Sequence, residues 1–169
     1  MDTLEPRIRP IDPTDLPALA ELNDTAVPAV NALGVQGLVA HVPRCALALT
    51  ADVSGRPAAL LLALAPEAGY ASENYQWFAQ HRPGSLYVDR VVVAEEARGQ
   101  GLGRALYAAV VARARTLGLR EVTCEVNLDP PNPRSLAFHT ALGFRPVGQQ
   151  RTTGGTILVQ MLAKQVPAA

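Results

Sequence analysis

The sequence predicts an α/β fold: a central mixed, mostly antiparallel sheet of six to seven strands with helices on both faces. Three observations predict it. The elements run as antiparallel strands first and then strand, helix, strand, helix, strand, strand. The most apolar stretch, Ala58 to Ala65, has the length of a core strand and falls well short of the roughly 20 residues that span a bilayer. Finally, Arg98-Gly99-Gln100-Gly101-Leu102-Gly103 lies between an apolar run and a long segment of helical apolar period, which reads as strand, glycine turn, helix.

Taken in order, Arg7 to Ile11 reads as a short strand. A helix follows from about Pro13 to Ala26, with Asp12 as its cap and Pro13 at its first position. A less regular helical segment covers Val35 to Ala40. Cys45 to Ala51 and Pro57 to Leu64 form a hairpin around residues 52–56, where Gly55 serves the turn. The irregular stretch Pro66 to Gly84 holds a short helix near Glu73 to Gln80. Leu86 to Val93 is the central strand, Leu102 to Leu117 a helix stopped by Gly118, and Glu121 to Val126 the next strand. Pro133 to Ala141 is a helix, and Phe144 to Gln150 with Thr156 to Leu162 a final hairpin. The 169 residues suffice for one substantial core, so the expectation is a single domain over 1–169 with frayed ends at 1–5 and 164–169.

Composition removes several classes of function. Fifteen Lys and Arg balance fifteen Asp and Glu, so no global basic field draws nucleic acid or an anionic membrane. Cys45 and Cys124 are too few and too far apart for a disulfide framework or a zinc-ligand spacing, and no metal is expected. No charged-then-apolar leader opens the chain, and the expected location is cytoplasmic.

The glycine turn carries the functional reading. A helix N-terminus leaves its first amides without intrahelical partners and bears a partial positive charge, so a turn stripped of side chains can wrap phosphate oxygens. A lysine-terminated P-loop needs a Gly-Lys-Ser/Thr close that is absent. The dinucleotide fingerprint needs Gly-x-Gly-x-x-Gly/Ala, and counting from Gly99 or Gly101 puts Arg104 or Leu106 at its last position. Neither pattern fits. The bland alternative is a turn that uses its glycines for φ > 0 or for close packing.

What fits is Arg/Gln-x-x-Gly-x-Gly/Ala, and here the chain resembles the GNAT superfamily of N-acetyltransferases. Asn132-Pro133-Arg134-Ser135-Leu136-Ala137-Phe138-His139-Thr140-Ala141-Leu142-Gly143-Phe144 is similar to that family's later motif. By its residues alone, Asn132 caps, Pro133 starts the helix and Gly143 stops it. The resemblance implies a GNAT-like fold and direct transfer of the acetyl group of acetyl-CoA to a primary amine. It implies that residues 98–104 (Arg98, Gly99, Gln100, Gly101, Leu102, Gly103, Arg104) hold the pyrophosphate. The central strand and the next splay apart in that family, and Val91 and Val93 would offer backbone groups to the pantetheine arm, with Asn132 beside it. A homodimer is compatible with the resemblance.

Amide formation needs a deprotonated amine, a polarised carbonyl and an acid for the leaving thiolate. By alternation Tyr87, Asp89, Val91 and Val93 share one face of the central strand, and Leu86, Val88, Arg90 and Val92 the other. Asp89 is the candidate base or substrate carboxylate, against a structural salt bridge. Glu125, sharing its face with Thr123 and Asn127, is the rival, against a scaffold role. Cys124 reads as buried packing. Family members commonly carry a Tyr acid seven residues after the Asn; here that position is His139, which stands as candidate acid against a satisfied helix-surface histidine. For the acceptor, Glu73 would draw an ammonium and Tyr75, Trp77 and Phe78 would pack on it, against an amphipathic helix whose aromatics simply bury. Asn23, Asn31 and His41 are candidates for an opposite wall. Small amines are expected acceptors; the alternatives are a protein or peptide N-acetyltransferase and a non-catalytic acyl-CoA sensor.

Overall fold

A computed structural model describes residues 6–152 and 154–168. The expected fraying of 1–5 and of Ala169 lies outside the described residues. The chain forms two compact units, one of residues up to Leu64 with Asp89–Val110, the other of Ala65–Val88 with Val111 onward. The strand Ser85–Val93, β4, contributes to both.

In the first unit β1 (Arg7–Pro10) pairs antiparallel with β2 (Leu47–Val53), and β2 with β3 (Arg56–Leu64). Ser54 and Gly55 both adopt positive φ, 51° and 76°, in the two-residue turn between Val53 and Arg56. That conformation matches the twist of a tight hairpin, and Gly55 takes it without steric cost. Residues 58–64 of β3 are all buried, which is why the segment is apolar without alternation.

The helix expected over Pro13 to Ala26 is in two parts. Pro13–Asp15 form a 3₁₀ turn, with Asp12 accepting from Thr14 N and Asp15 accepting from Asp12 N, and α1 spans Leu16–Asp24. Pro17, in the first turn of α1, has no N–H for the ladder, so continuity with the turn before it is lost there. The buried positions Leu16, Leu19, Ala20 and Asn23 follow the i, i+3, i+4, i+7 stripe, and the last place on the stripe goes to a polar side chain. Helix α2 is Gly34–His41.

In the second unit α3 is Glu73–His81, with Ser72 as its cap. The start of β4 pairs in parallel with β5 (Glu121–Asp129), Ser85–Tyr87 against Glu121–Thr123. β7 (Ile157–Gln165) pairs antiparallel with both β5 and β6 (Arg145–Thr152). The sheet order is β1-β2-β3-β4-β5-β7-β6. The last strand therefore inserts beside β5, and its ladder carries β5 on to Asp129, beyond the expected end at Val126. β7 likewise runs through Gln165, two residues into the tail expected to fray. Helices α4 (Leu102–Thr116) and α5 (Pro133–Ala141) complete the elements. Tyr75, Phe78, Tyr87, Val122, Phe144 and Met161 are among the residues that fill this unit's core.

Candidate functional site

The glycine turn begins where β4 ends. Ala94 N donates to Ala58 O at 2.8 Å, residues Glu95–Ala97 make a 3₁₀ turn, and Arg98 leaves it extended. Gly99 and Gly101 sit at φ of 79° and 78°, a region that side chains with a Cβ rarely occupy. A Cβ built at either meets nothing within 4 Å, so packing does not explain the glycines; the backbone conformation does. The first bond into α4 runs from Ala105 N to Gly101 O, 3.0 Å, so the amides of Leu102, Gly103 and Arg104 precede the helical ladder. Arg98, Gly99, Gln100, Gly101 and Arg104 are exposed, while Leu102 and Leu106 anchor the helix in the core. A bare, open turn ahead of a fifteen-residue helix fits a diphosphate. Val91 and Val93 lie half-buried just upstream on β4.

Asp89 stands in a buried polar cluster of the first unit. Its Oδ2 accepts from Arg90 Nε at 2.8 Å and lies 3.0 Å from His41 Nε2; the three side chains are 6%, 2% and 5% exposed. Arg90 donates onward to Asn23 Oδ1, Asn31 O and Asn31 Oδ1 at 2.8 to 3.1 Å, and Asn23 Nδ2 donates to Asn31 O. The segment between α1 and α2 is thus pinned to β4. Burial pushes the Asp89 carboxyl up, but the His41 bond and the Arg90 charge and bond outweigh it, and the group lies below the usual carboxylate range. Strict alternation puts Asp89 and Arg90 on opposite faces; the long arginine arm crosses back to its neighbour. The expected Asp89 salt bridge therefore exists, but with the adjacent residue in sequence. Asn23, Asn31 and His41 form this cluster, with Asn23 and His41 buried. Burial first, then the Asp89 charge, push the nearby Cys45 thiol up to about 12, which disfavours the thiolate.

Glu125 belongs to a second cluster, in the other unit. Its Oε1 accepts from Tyr87 Oη at 2.9 Å and from Asn74 Nδ2 at 3.1 Å, and Asn74 Oδ1 accepts from Gln150 Nε2 at 3.1 Å. β4, β5 and α3 meet at one half-buried carboxylate, and β6 joins them through Asn74. Tyr75 and Phe78 pack against the Tyr87 ring at centroid distances of 5.7 and 5.6 Å. Tyr75 Oη donates to Ala65 O and accepts from Ala68 N. Both aromatics are core residues, which corrects the expectation of a binding wall at these two positions. The i, i+3 spacing of Tyr75 and Phe78 on α3 turns them inward together. Trp77 is half-buried, stacked on His81 at 4.1 Å and lying over Gly148 of β6, while Glu73 is exposed in the first turn.

His139 is buried on α5 between Phe138 and Phe144, not on the helix surface. Its Nδ1 lies 2.7 Å from Ser135 O, a contact that needs Nδ1 to carry the proton. Burial lowers its pKa, and the Ser135 bond offsets that only in part. Asn132 caps α5, its Oδ1 accepting from Ser135 N at 3.3 Å. Cys124 is buried, as expected for packing. Among the described residues no group of three or more His, Cys, Asp or Glu is arranged to hold a metal ion, and no helix is long and apolar enough to cross a membrane.

Sequence reasoning missed Arg90, Tyr87, Asn74 and Gln150. Only Arg90 carried a usable signal, a charge inside an apolar strand; the others depend on pairings between distant segments.

A seven-stranded mixed sheet whose central strand runs into a bare glycine turn and a helix makes this a mixed α/β protein with an anion-accepting turn at a helix N-terminus. The sequence pattern of the acetyltransferase (GNAT) family matches residues 41–144, and the chain belongs to that family. It is 34% identical over 85 residues to a phosphinothricin N-acetyltransferase of Alcaligenes faecalis, a match spanning 48% of this chain and 43% of that protein. Its fold is similar to the ribosomal-protein-S18-alanine N-acetyltransferase of Escherichia coli, with a TM-score of 0.72 and 20% identity over 97% of this chain and 96% of that one. It is equally similar to a GNAT superfamily phosphinothricin acetyltransferase of Sinorhizobium meliloti solved in complex with AcCoA, with a TM-score of 0.72 and 19% identity over 96% and 89% of the two chains.

Proposed function

We propose that this chain is an acetyl-CoA-dependent N-acetyltransferase acting on a small primary amine by direct transfer. The observation that carries it is the open turn at residues 98–104, whose two left-handed glycines expose peptide nitrogens at the start of α4. Acetyl-CoA supplies an activated acetyl carbonyl and a sulfur leaving group. The chain supplies the rest. Amides of residues 99–104 would donate to the diphosphate oxygens, with the guanidinium groups of Arg98 and Arg104 at the rim. Backbone groups of Val91 and Val93 would hold the pantetheine arm, and Asn132 would stand beside it at the start of α5. The partial relative from Alcaligenes faecalis, named for a small-molecule amine, supports the acceptor class.

The amine must lose a proton, and the chain offers Asp89 and Glu125 for it. Glu73, exposed in the first turn of α3, would draw the incoming ammonium, with Trp77 on the same helix and Tyr75 and Phe78 supporting from the core. For His139 to deliver a proton to the leaving sulfur it must first be charged, and its burial works against that. An acid role therefore predicts kcat falling as pH rises through a value below about 6.5. A rate unchanged in His139→Gln assigns that proton to water.

The deciding experiment follows thiol release from acetyl-CoA with a panel of amines including phosphinothricin. Turnover on a small amine supports the proposal. Turnover on peptide N-termini alone supports a protein acetyltransferase, and tight acetyl-CoA binding with no turnover a sensor domain.

A further inference from the structure

We propose that the cavity at the start of β4 and β5 is a second ligand site, which takes a small carboxylate carrying a neutral N–H donor. The cavity measures about 510 Å³ and lies within the second unit, where the end of α3 and the turn after it meet the first residues of β5 and the last of β7. That is the size of a pocket for a small organic molecule. None of its lining belongs to the glycine turn or to the groups placed about acetyl transfer.

Charge and geometry define the ligand. Three charged groups line the cavity, Arg82, Arg120 and Glu121. Arg82 closes its fork on Glu121, Nε donating to Oε2 at 3.0 Å and Nη2 to Oε1, and Arg145 Nη2 stands 3.9 Å from the same Oε1. Glu121 is thus answered within the fold. The charge left over is that of Arg120, whose side chain has no hydrogen-bond or ion partner among the described residues. Its backbone is held on both sides: Arg120 N donates to Gly84 O at 3.0 Å, and Arg120 O accepts from Val166 N at 2.9 Å. The arginine arm therefore starts from a fixed point. Gly84, at φ of 85°, leaves bare backbone beside the guanidinium; a Cβ there would come within 3.9 Å of Arg120 Nη2 and 4.0 Å of Nε. A planar guanidinium with paired donors and one uncancelled charge matches a carboxylate, which it binds through two parallel bonds. His81 supplies the second element of recognition. Its ring stacks on Trp77 at 4.1 Å, and its Nδ1 lies 2.8 Å from Trp77 O, a contact that needs the proton on Nδ1. The neutral ring then presents Nε2 as an acceptor, and the Gln165 amide oxygen is another; both residues line the cavity. A dianion such as phosphate would exceed the one spare positive charge, meet the Glu121 carboxylate and leave these acceptors without a donor.

The test uses the full chain without coenzyme, with succinamate as probe and its uncharged amide, succinamide, as control. Trp77 is the single tryptophan of the chain, and its stack on His81 makes its fluorescence a reporter of the cavity. The Arg120 side-chain Nε–H signal, assigned by its absence in Arg120→Gln, gives a second reading by NMR. The expected result is a saturable change of both signals with succinamate and none with succinamide. By Trp77 fluorescence, Arg120→Gln is expected to weaken succinamate binding about tenfold or more, the worth of a charge-assisted bond. The residue is exposed, so the variant should keep the circular dichroism of the wild type. Arg56→Gln, which removes an exposed arginine of the hairpin between β2 and β3, is expected to leave the affinity unchanged. No saturable response in the wild type, an equal response to succinamide, or an unaltered affinity in Arg120→Gln overturns the inference. An equal, Arg120-dependent response to inorganic phosphate overturns the assigned ligand class.

Discussion

At the scale of single residues, the most consequential side chain of the first unit is Arg90. It is 2% exposed and makes one ion pair, with Asp89, and three further bonds to neutral oxygens, so removing Asp89 leaves its buried charge uncompensated. Asp89→Asn is expected to cost about 3–5 kcal/mol in urea denaturation, the range for breaking a buried pair from one side. Because the folded Asp89 pKa lies below the unfolded one, the folded state holds fewer protons as pH drops. Its contribution is complete above about pH 4 and disappears as pH falls through the lower folded value, so Asp89→Asn should remove that acid-side slope. His139 acts in the same sense at higher pH. Burial depresses its folded pKa, so below about pH 6.5 the unfolded chain takes up a proton that the folded chain refuses. Stability is expected to fall as pH drops from there to the folded value, and His139→Phe to flatten that part of the curve in denaturation series at successive pH values.

At the scale of elements, β6 and α3 meet through one position without a side chain. A Cβ at Gly148 would stand 2.6 Å from Trp77 Cζ2 and 2.8 Å from Cη2, atoms of a rigid ring. Gly148→Ala is expected to cost about 1–3 kcal/mol by overpacking. In a Trp77→Leu background the cost should largely vanish, a non-additivity that a double-mutant cycle measures. Elements defined by local signals were legible in the sequence: Asp12 and Asn132 as caps, Gly55 as a hairpin turn, and Pro133–Ala141 with the expected bounds. The glycine turn was equally plain, since positive φ at Gly99 and Gly101 is a local demand. What was not legible depends on distant pairing. Nothing local to residues 157–165 says that β7 joins β5, and hence that β5 extends to Asp129. Nothing near Asn74 announces Gln150. The aromatics of α3 were visible as a cluster, but whether Tyr75 and Phe78 face a ligand or the core depends on Tyr87, which only the folded chain brings to them.

At the scale of the whole molecule, β4 is the strand to which both compact units contribute, and it leads directly into the glycine turn. A ligand that binds only the folded chain raises its stability by mass action, about 2.7 kcal/mol at a hundredfold excess over Kd. Acetyl-CoA is therefore expected to raise the denaturation midpoint in a concentration-dependent way, with free phosphate doing far less. Calorimetric titration of acetyl-CoA into the wild type and Gly101→Val shows whether the glycine turn holds the coenzyme. A Cβ there meets open space, so the folding cost should come from the left-handed backbone, at least about 1–2 kcal/mol for a β-branched side chain. One-to-one binding to the wild type is expected, with at least about a tenfold weaker Kd in the variant, whose branched side chain crowds the anion's approach to the helix amides. Absence of binding heat in the wild type, or an unaltered Kd in a folded Gly101→Val, would contradict a coenzyme role for the turn.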